Sequence, residues 1–205
     1  MVLDAVGFGA TRGCSPHIVT TPATQADLAI IAAQLGRTPR GVRAIAARCR
    51  CGVPLVVETE PRLPDGTPFP TLFYMTDDVL TSAIGTLEAS GLMREMEARL
   101  ATDEQLSAQY LRAHEQYLAA RTAIDDVPEL RGVTAGGMPT RVKCLHVLGG
   151  HSLALGPGVN PFGDEAIDAA AELLVARFGP ADGARLPCTH GREPGDAPPE
   201  KRVVE

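Results

Sequence analysis

Three pairs of thiol and imidazole residues, each with one residue between, constrain how this 205-residue chain can fold. They are Cys49-Arg-Cys51, Cys144-Leu-His146 and Cys188-Thr-His190, and they take up six of the ten cysteines and histidines. Random placement would give roughly 0.4 pairs at this spacing, so three point to a shared thiolate/imidazole centre. The pairs lie far apart in sequence, and only a folded domain brings them together. A zinc ion takes three or four N/S donors in a tetrahedron with bonds of about 2.0–2.3 Å. A Cys-x-Cys at a strand end can supply two such donors if the backbone turns, and Gly52 favours a turn after Cys49 and Cys51.

The second pair, Cys144-Leu-His146, faces a different constraint. Pro139 begins an expected helix running to about Leu155, which sets Cys144 and His146 about 200° apart around its axis. Cys144 and His151 share a face but stand about 10.5 Å apart along it. The expected ligand set is therefore Cys49, Cys144 and Cys188, completed by either His146 or His151, and it leaves Cys51 and His190 without a role. The ion is zinc, or an iron–sulfur cluster if Cys49, Cys51, Cys144 and Cys188 act together. The alternatives are reduced cysteines filling a core, a common use of a free thiol, and a redox-active thiol pair. Arg141 and Lys143 flank Cys144, and positive charge there favours the thiolate. Cys14 sits in a Gly/Ser/Pro-rich stretch and is read as an unpaired thiol.

The balance of charge narrows the function classes. A net charge of -6 and a pI near 5.4, with no run of Lys and Arg, argue against a general nucleic-acid binder. No apolar stretch reaches the 18 to 20 residues of a membrane span, and the N-terminus has no basic region before an apolar core, so a cytoplasmic protein is expected. Hydrophobic residues make up 44%, enough for one well-packed domain.

Patterning predicts an α+β fold, with a small antiparallel sheet over about residues 42–76 against a mainly helical remainder. The strand-like runs are Val42 to Cys49, Pro54 to Thr59 and Thr71 to Thr76. Expected helices begin at Thr24, at Asp77 or Asp78, at Leu92, at Thr102, at Pro139 and at Asn160-Pro161. Residues 1–24 are expected to be flexible, 25–178 to form the single domain, and 179–205 to be a Pro/Gly-rich tail. The loop from Leu63 to Pro70 holds three prolines and an Asp-Gly turn, and can wall a pocket in which Arg62 and Asp65, with Arg141 and Lys143, meet a ligand. Gly156 to Gly163 reads as a helix stop and restart; Asp164 and Glu165 would repel a phosphate there, and the lysine of a phosphate loop is missing.

Three segments together resemble a bacterial family without an assigned activity, the domain-of-unknown-function-501 family, in its actinobacterial branch. They are Asp65-Gly-Thr-Pro-Phe-Pro-Thr-Leu72, Arg141-Val-Lys-Cys-Leu-His146 with His151 following, and Gly158-Val-Asn-Pro-Phe-Gly-Asp-Glu165. The resemblance spans roughly residues 25 to 178. It implies a soluble cytoplasmic bacterial protein, and it puts Cys49, Cys144, His146 and His151 on motif positions. Members are often encoded near cell-division and exopolyphosphatase genes. Two functions are therefore expected: a zinc or iron–sulfur protein, or a non-enzymatic regulatory or adaptor protein tied to cell division or envelope growth. The partner is an unknown small molecule or protein, with no role for nucleic acid or membrane.

Overall fold

The computed structural model describes residues 20–191. Four antiparallel strands lie in sequence order: β1 (Thr21–Pro22), β2 (Val42–Arg48), β3 (Pro54–Thr59) and β4 (Phe73–Met75). Six helices surround them: α1 (Gln25–Leu35), α2 (Asp78–Ser90), α3 (Leu92–Leu100), α4 (Glu104–Ile124), α5 (Leu145–Leu155) and α6 (Pro161–Phe178). The expected α+β class and antiparallel sheet are what the chain adopts; β1 is an edge strand that patterning did not reveal.

β3 is buried along its whole length because both faces of the sheet are covered. Successive strand residues point to opposite faces. Val57, with Ile45 of β2, meets Ile31 of α1, while Val56, Phe73 and Met75 join a larger core with α2, α4, α5 and α6. α1 is started by a capping box: Thr24 Oγ1 accepts from the Asp27 N–H at 3.1 Å, and the Asp27 carboxylate accepts from the Thr24 N–H at 2.9 Å. Arg48, at the end of β2, grips the same carboxylate at 2.6 and 3.0 Å. That hydrogen bond, backed by those from Thr24, holds the Asp27 carboxyl well below the usual carboxylate range.

α5 and α6 form an antiparallel pair whose closeness depends on glycine. A Cβ on Gly163 would run into the Leu148 carbonyl oxygen, and one on Gly149 would meet the Ile167 side chain at 3.0 Å. Asn160 caps α6, its Oδ1 accepting from the Gly163 N–H at 3.0 Å.

The helix expected from Pro139 begins instead at Leu145, with Cys144 as its N-cap. Residues 136–143 loop back on themselves. Gly136 and Gly137 take φ values of 62° and 93°, and the Arg141 and Lys143 N–H groups donate to the carbonyls of Gly137 and Gly136 at 2.9 and 2.8 Å. Similarly, α4 is capped by Asp103, whose Oδ1 accepts from the Leu106 N–H at 2.9 Å, while Thr102 Oγ1 donates back to the Ala98 carbonyl at 3.3 Å.

The chain beyond Gly179, expected to be a tail, returns to the body over residues 180–191. Leu186 packs against the main core and Cys188 is 8% exposed. Asp182 pairs with Arg50 at 3.1 Å. Arg185 donates to Ser152 Oγ at 2.8 Å, Asp168 at 3.0 Å and the Asp164 carbonyl at 2.9 Å. Burial and ion pairing, invisible in a Pro/Gly-rich composition, hold this segment in place. Cys14 and residues 192–205 lie outside the described residues.

Candidate metal centre

Two of the three pairs meet. The hairpin between β2 and β3 turns through Cys49-Arg50-Cys51-Gly52, closed by the Gly52 N–H donating to the Cys49 carbonyl and the Cys49 N–H donating to the Val53 carbonyl, both at 2.8 Å. Gly52 sits at φ 93°, where other residues are strained. The Arg48 guanidinium clasps the turn from beneath, donating to the Gly52 carbonyl at 2.9 Å. Both sulfurs thereby face the returning segment 180–191.

Cys49, Cys51, Cys188 and His190 each present one donor atom, and all four atoms lie within 4.8 Å of one another. His190 Nδ1 stands 3.2 Å from Cys51 Sγ and 4.0 Å from Cys188 Sγ. Zinc–ligand bonds of about 2.0–2.3 Å put donors about 3.3–3.8 Å apart in a tetrahedron, so an ion would shift these atoms by less than about 1 Å. Cys49 and Cys188 are buried, His190 is half-buried and Cys51 is exposed.

The second nitrogen of His190 is also fixed. Nε2 lies 2.7 Å from the Asp77 carboxylate, which is 1% exposed. Asp77 Oδ1 caps α2 by accepting from the Leu80 N–H at 2.7 Å, leaving Oδ2 for the imidazole. A carboxylate on Nε2 keeps the proton there and aims the Nδ1 lone pair at the sulfurs, the outer-shell arrangement of metal-bound histidines.

The thiols divide their protons unequally. Burial, with the neighbouring sulfurs of Cys51 and Cys188, pushes the Cys49 thiol up to about 12. Burial also resists charge on Cys188, but the His190 backbone N–H and the side chains of Cys51 and His190 outweigh it and bring that thiol down to about 7. Three sulfurs this close cannot all ionise without a cation, and a bound metal supplies one. All four cysteines among the described residues are free thiols.

The expected single centre of Cys49, Cys144 and Cys188 with His146 or His151 is divided by the fold. Cys144 belongs to a separate group with His146 and Glu88, again with donor atoms within 4.8 Å of one another. The division follows from where α5 starts: Cys144 faces Thr81 and Glu88 of α2, whereas Cys49 faces Asp77 and the segment through His190. His146 Nδ1 is 3.1 Å from Glu88 Oε1 and Nε2 is 3.1 Å from the Thr81 carbonyl oxygen. The hydrogen bond with Cys144 leads burial and Glu88 among the influences on His146, and the balance raises it to about 9. His151 is in neither group. It is fully buried, stacked on Phe73 with ring centres 5.8 Å apart and edge-on to Tyr117 at 5.2 Å, with Nδ1 3.2 Å from Asn160 Nδ2. Burial lowers it to about 4, so it is a neutral core histidine at physiological pH.

The expected pocket residues are spent on the surface. Arg62 donates to the Gly66 carbonyl at 2.8 Å and pairs with Glu129 at 2.7 Å, and Asp65 pairs with Arg40 at 3.0 Å. Arg141 stands 3.8 Å from Glu97, and Lys143 is exposed. None of the four lines the cavity beside either cluster. Cys51 and His190, without a role in the expected set, complete the four-donor cluster; the spacing of their pairs was the only sign of it.

An α+β chain with a Cys3His cluster at a hairpin turn is thus defined, and among the described residues no helix is long and apolar enough to cross a membrane. Residues 45–168 match the sequence model of a family described as "Protein of unknown function (DUF501)", and the chain belongs to that family. No curated protein and no solved structure matches the chain. The matched span contains Cys49, Cys51, Asp77, Glu88, Cys144 and His146, while Cys188 and His190 lie beyond it.

Proposed function

We propose that this chain is a zinc protein whose ion is bound by Cys49, Cys51, Cys188 and His190. The observation that carries this reading is the convergence of four donors from two distant segments, with His190 oriented by a buried carboxylate. Three thiolates and one imidazole suit zinc. Iron–sulfur clusters as a rule take four cysteines, and Cys144, the remaining described one, lies in the other group. Four protein donors leave no open position, so the ion acts structurally, fastening residues 180–191 to the β2–β3 turn. A reducing, cytoplasmic setting fits this role, since the thiolates must stay reduced.

Elemental analysis of tag-free protein tests the proposal. Cys51→Ser, at an exposed position where the change spares the core, should lower the zinc content by one equivalent. Unchanged metal content in that variant, or metal-free wild-type protein of full thermal stability, contradicts it.

A further inference from the structure

The Glu88–Cys144–His146 group remains to be explained. We propose that it is a second metal site: an open, three-donor site for a divalent transition cation of the zinc class, at the foot of a groove between α2, β4 and α5.

Four observations support it. First, the three donor atoms converge within 4.8 Å from two elements, Glu88 near the end of α2 and the Cys144-Leu-His146 stretch entering α5. Second, His146 repeats the device seen at His190. A carbonyl oxygen only accepts, so the 3.1 Å contact with Thr81 fixes a proton on Nε2 and turns Nδ1 toward Glu88 and Cys144. The 3.1 Å between Nδ1 and Oε1 is close to the donor spacing of about 3.3 Å around an ion with bonds of about 2.0–2.1 Å.

Third, helix capping accounts for Glu88 but not for Cys144. Glu88 Oε1 accepts the N–H of Leu145, the first residue of α5, at 2.6 Å. An N-cap is usually Ser, Thr, Asp or Asn, yet here it is a cysteine whose side chain makes no capping bond. A simple His146–Glu88 ion pair would likewise leave a sulfur in this position unexplained. Fourth, the groove is open and of about 370 Å³, with Phe73, Tyr74, Met75, Thr81 and Val147 beside Cys144 and His146. Thr81 Oγ1, in its wall, is a buried hydroxyl without a hydrogen-bond partner. Three protein donors and access from a groove match the layout of catalytic zinc sites, which keep a position for water or substrate. On binding, the cation replaces the proton between His146 Nδ1 and Glu88 Oε1 and the thiol proton of Cys144, and both protons pass to solvent. All three donors fall within the family match.

The test is metal stoichiometry of tag-free protein purified with added zinc, repeated with cobalt for its spectrum. Wild type should hold two equivalents. Cys144→Ser should hold one, and Cys51→Ser should keep one, with cobalt–thiolate absorption from a single sulfur. Glu88→Gln preserves the acceptor for the Leu145 N–H, so α5 keeps its cap, and this variant should bind the second equivalent at least tenfold more weakly. Wild-type and Cys144→Ser proteins of equal metal content, or a Glu88→Gln variant with unaltered affinity, would overturn this site. Each site fails separately: loss of metal on Cys144→Ser but not on Cys51→Ser upholds this one and removes the four-donor one.

Discussion

His190 and His151 show how differently two imidazoles are used in one chain. His190 has one nitrogen toward three sulfurs and the other on Asp77. Replacing Asp77 by Asn keeps an oxygen able to cap α2, since Asn and Asp are comparable caps. It removes the charge that holds the imidazole, so zinc affinity at the four-donor site should fall about 10–100-fold, as loss of an outer-shell partner typically does. Competition with a chromophoric chelator reads this, with far-UV circular dichroism reporting an intact α2; an affinity equal to wild type would mean that Asp77 does not orient the ligand. His151 is enclosed by Phe73, Tyr117 and Asn160 and faces no carboxylate in its contacts. Its pKa of about 4 lies below the ordinary 6.5, so the unfolded chain takes up its proton first as pH falls. The stability it contributes is complete above pH 6.5 and is lost on acidification toward pH 4, a difference on the order of 3 kcal/mol. Imidazole ¹⁵N shifts should report a neutral His151 down to pH 5; a midpoint near 6.5 would contradict its burial.

Helices α5 and α6 carry the tightest constraint among the elements. Gly163 lets the first turn of α6 lie on the Leu148 carbonyl, and this contact sets the distance between the helices. Gly163→Ala should cost about 1–3 kcal/mol, the usual range for overpacking. At about 2–4 °C per kcal/mol for a chain of this size, the melting temperature should drop by several degrees in calorimetry, whereas an unchanged value would show that the helices part freely. The elements themselves were legible: capping residues at Thr24 and Asn160 and strand-like runs at Val42 and Pro54 mark features that form. The start of α5 was not. Pro139 is a good first helical residue, but Gly136 and Gly137 fold the backbone into a loop first, which moves Cys144 from the helix interior to its cap. The calculated 200° between Cys144 and His146 therefore described a helix turn that does not exist.

Across the molecule, sequence spacing revealed candidate metal-ligating pairs but not how they are shared out between clusters. Pairs with one intervening residue were visible, whereas which pairs meet depends on long-range packing: the Gly52 turn, the Arg50–Asp182 and Arg185 ion pairs, and burial of Leu186. Composition made residues 179–205 look like a tail because Pro and Gly there hide the few side chains that anchor residues 180–191. In the proposed zinc protein, residues 180–191 and the β2–β3 turn share one ion. Zinc K-edge X-ray absorption of the Cys144→Ser variant, which isolates the four-donor site, tests it directly. Three sulfurs at about 2.3 Å and one nitrogen at about 2.0–2.1 Å are expected; a shell of nitrogen and oxygen alone, or a variant that holds no zinc, would rule out the shared ion.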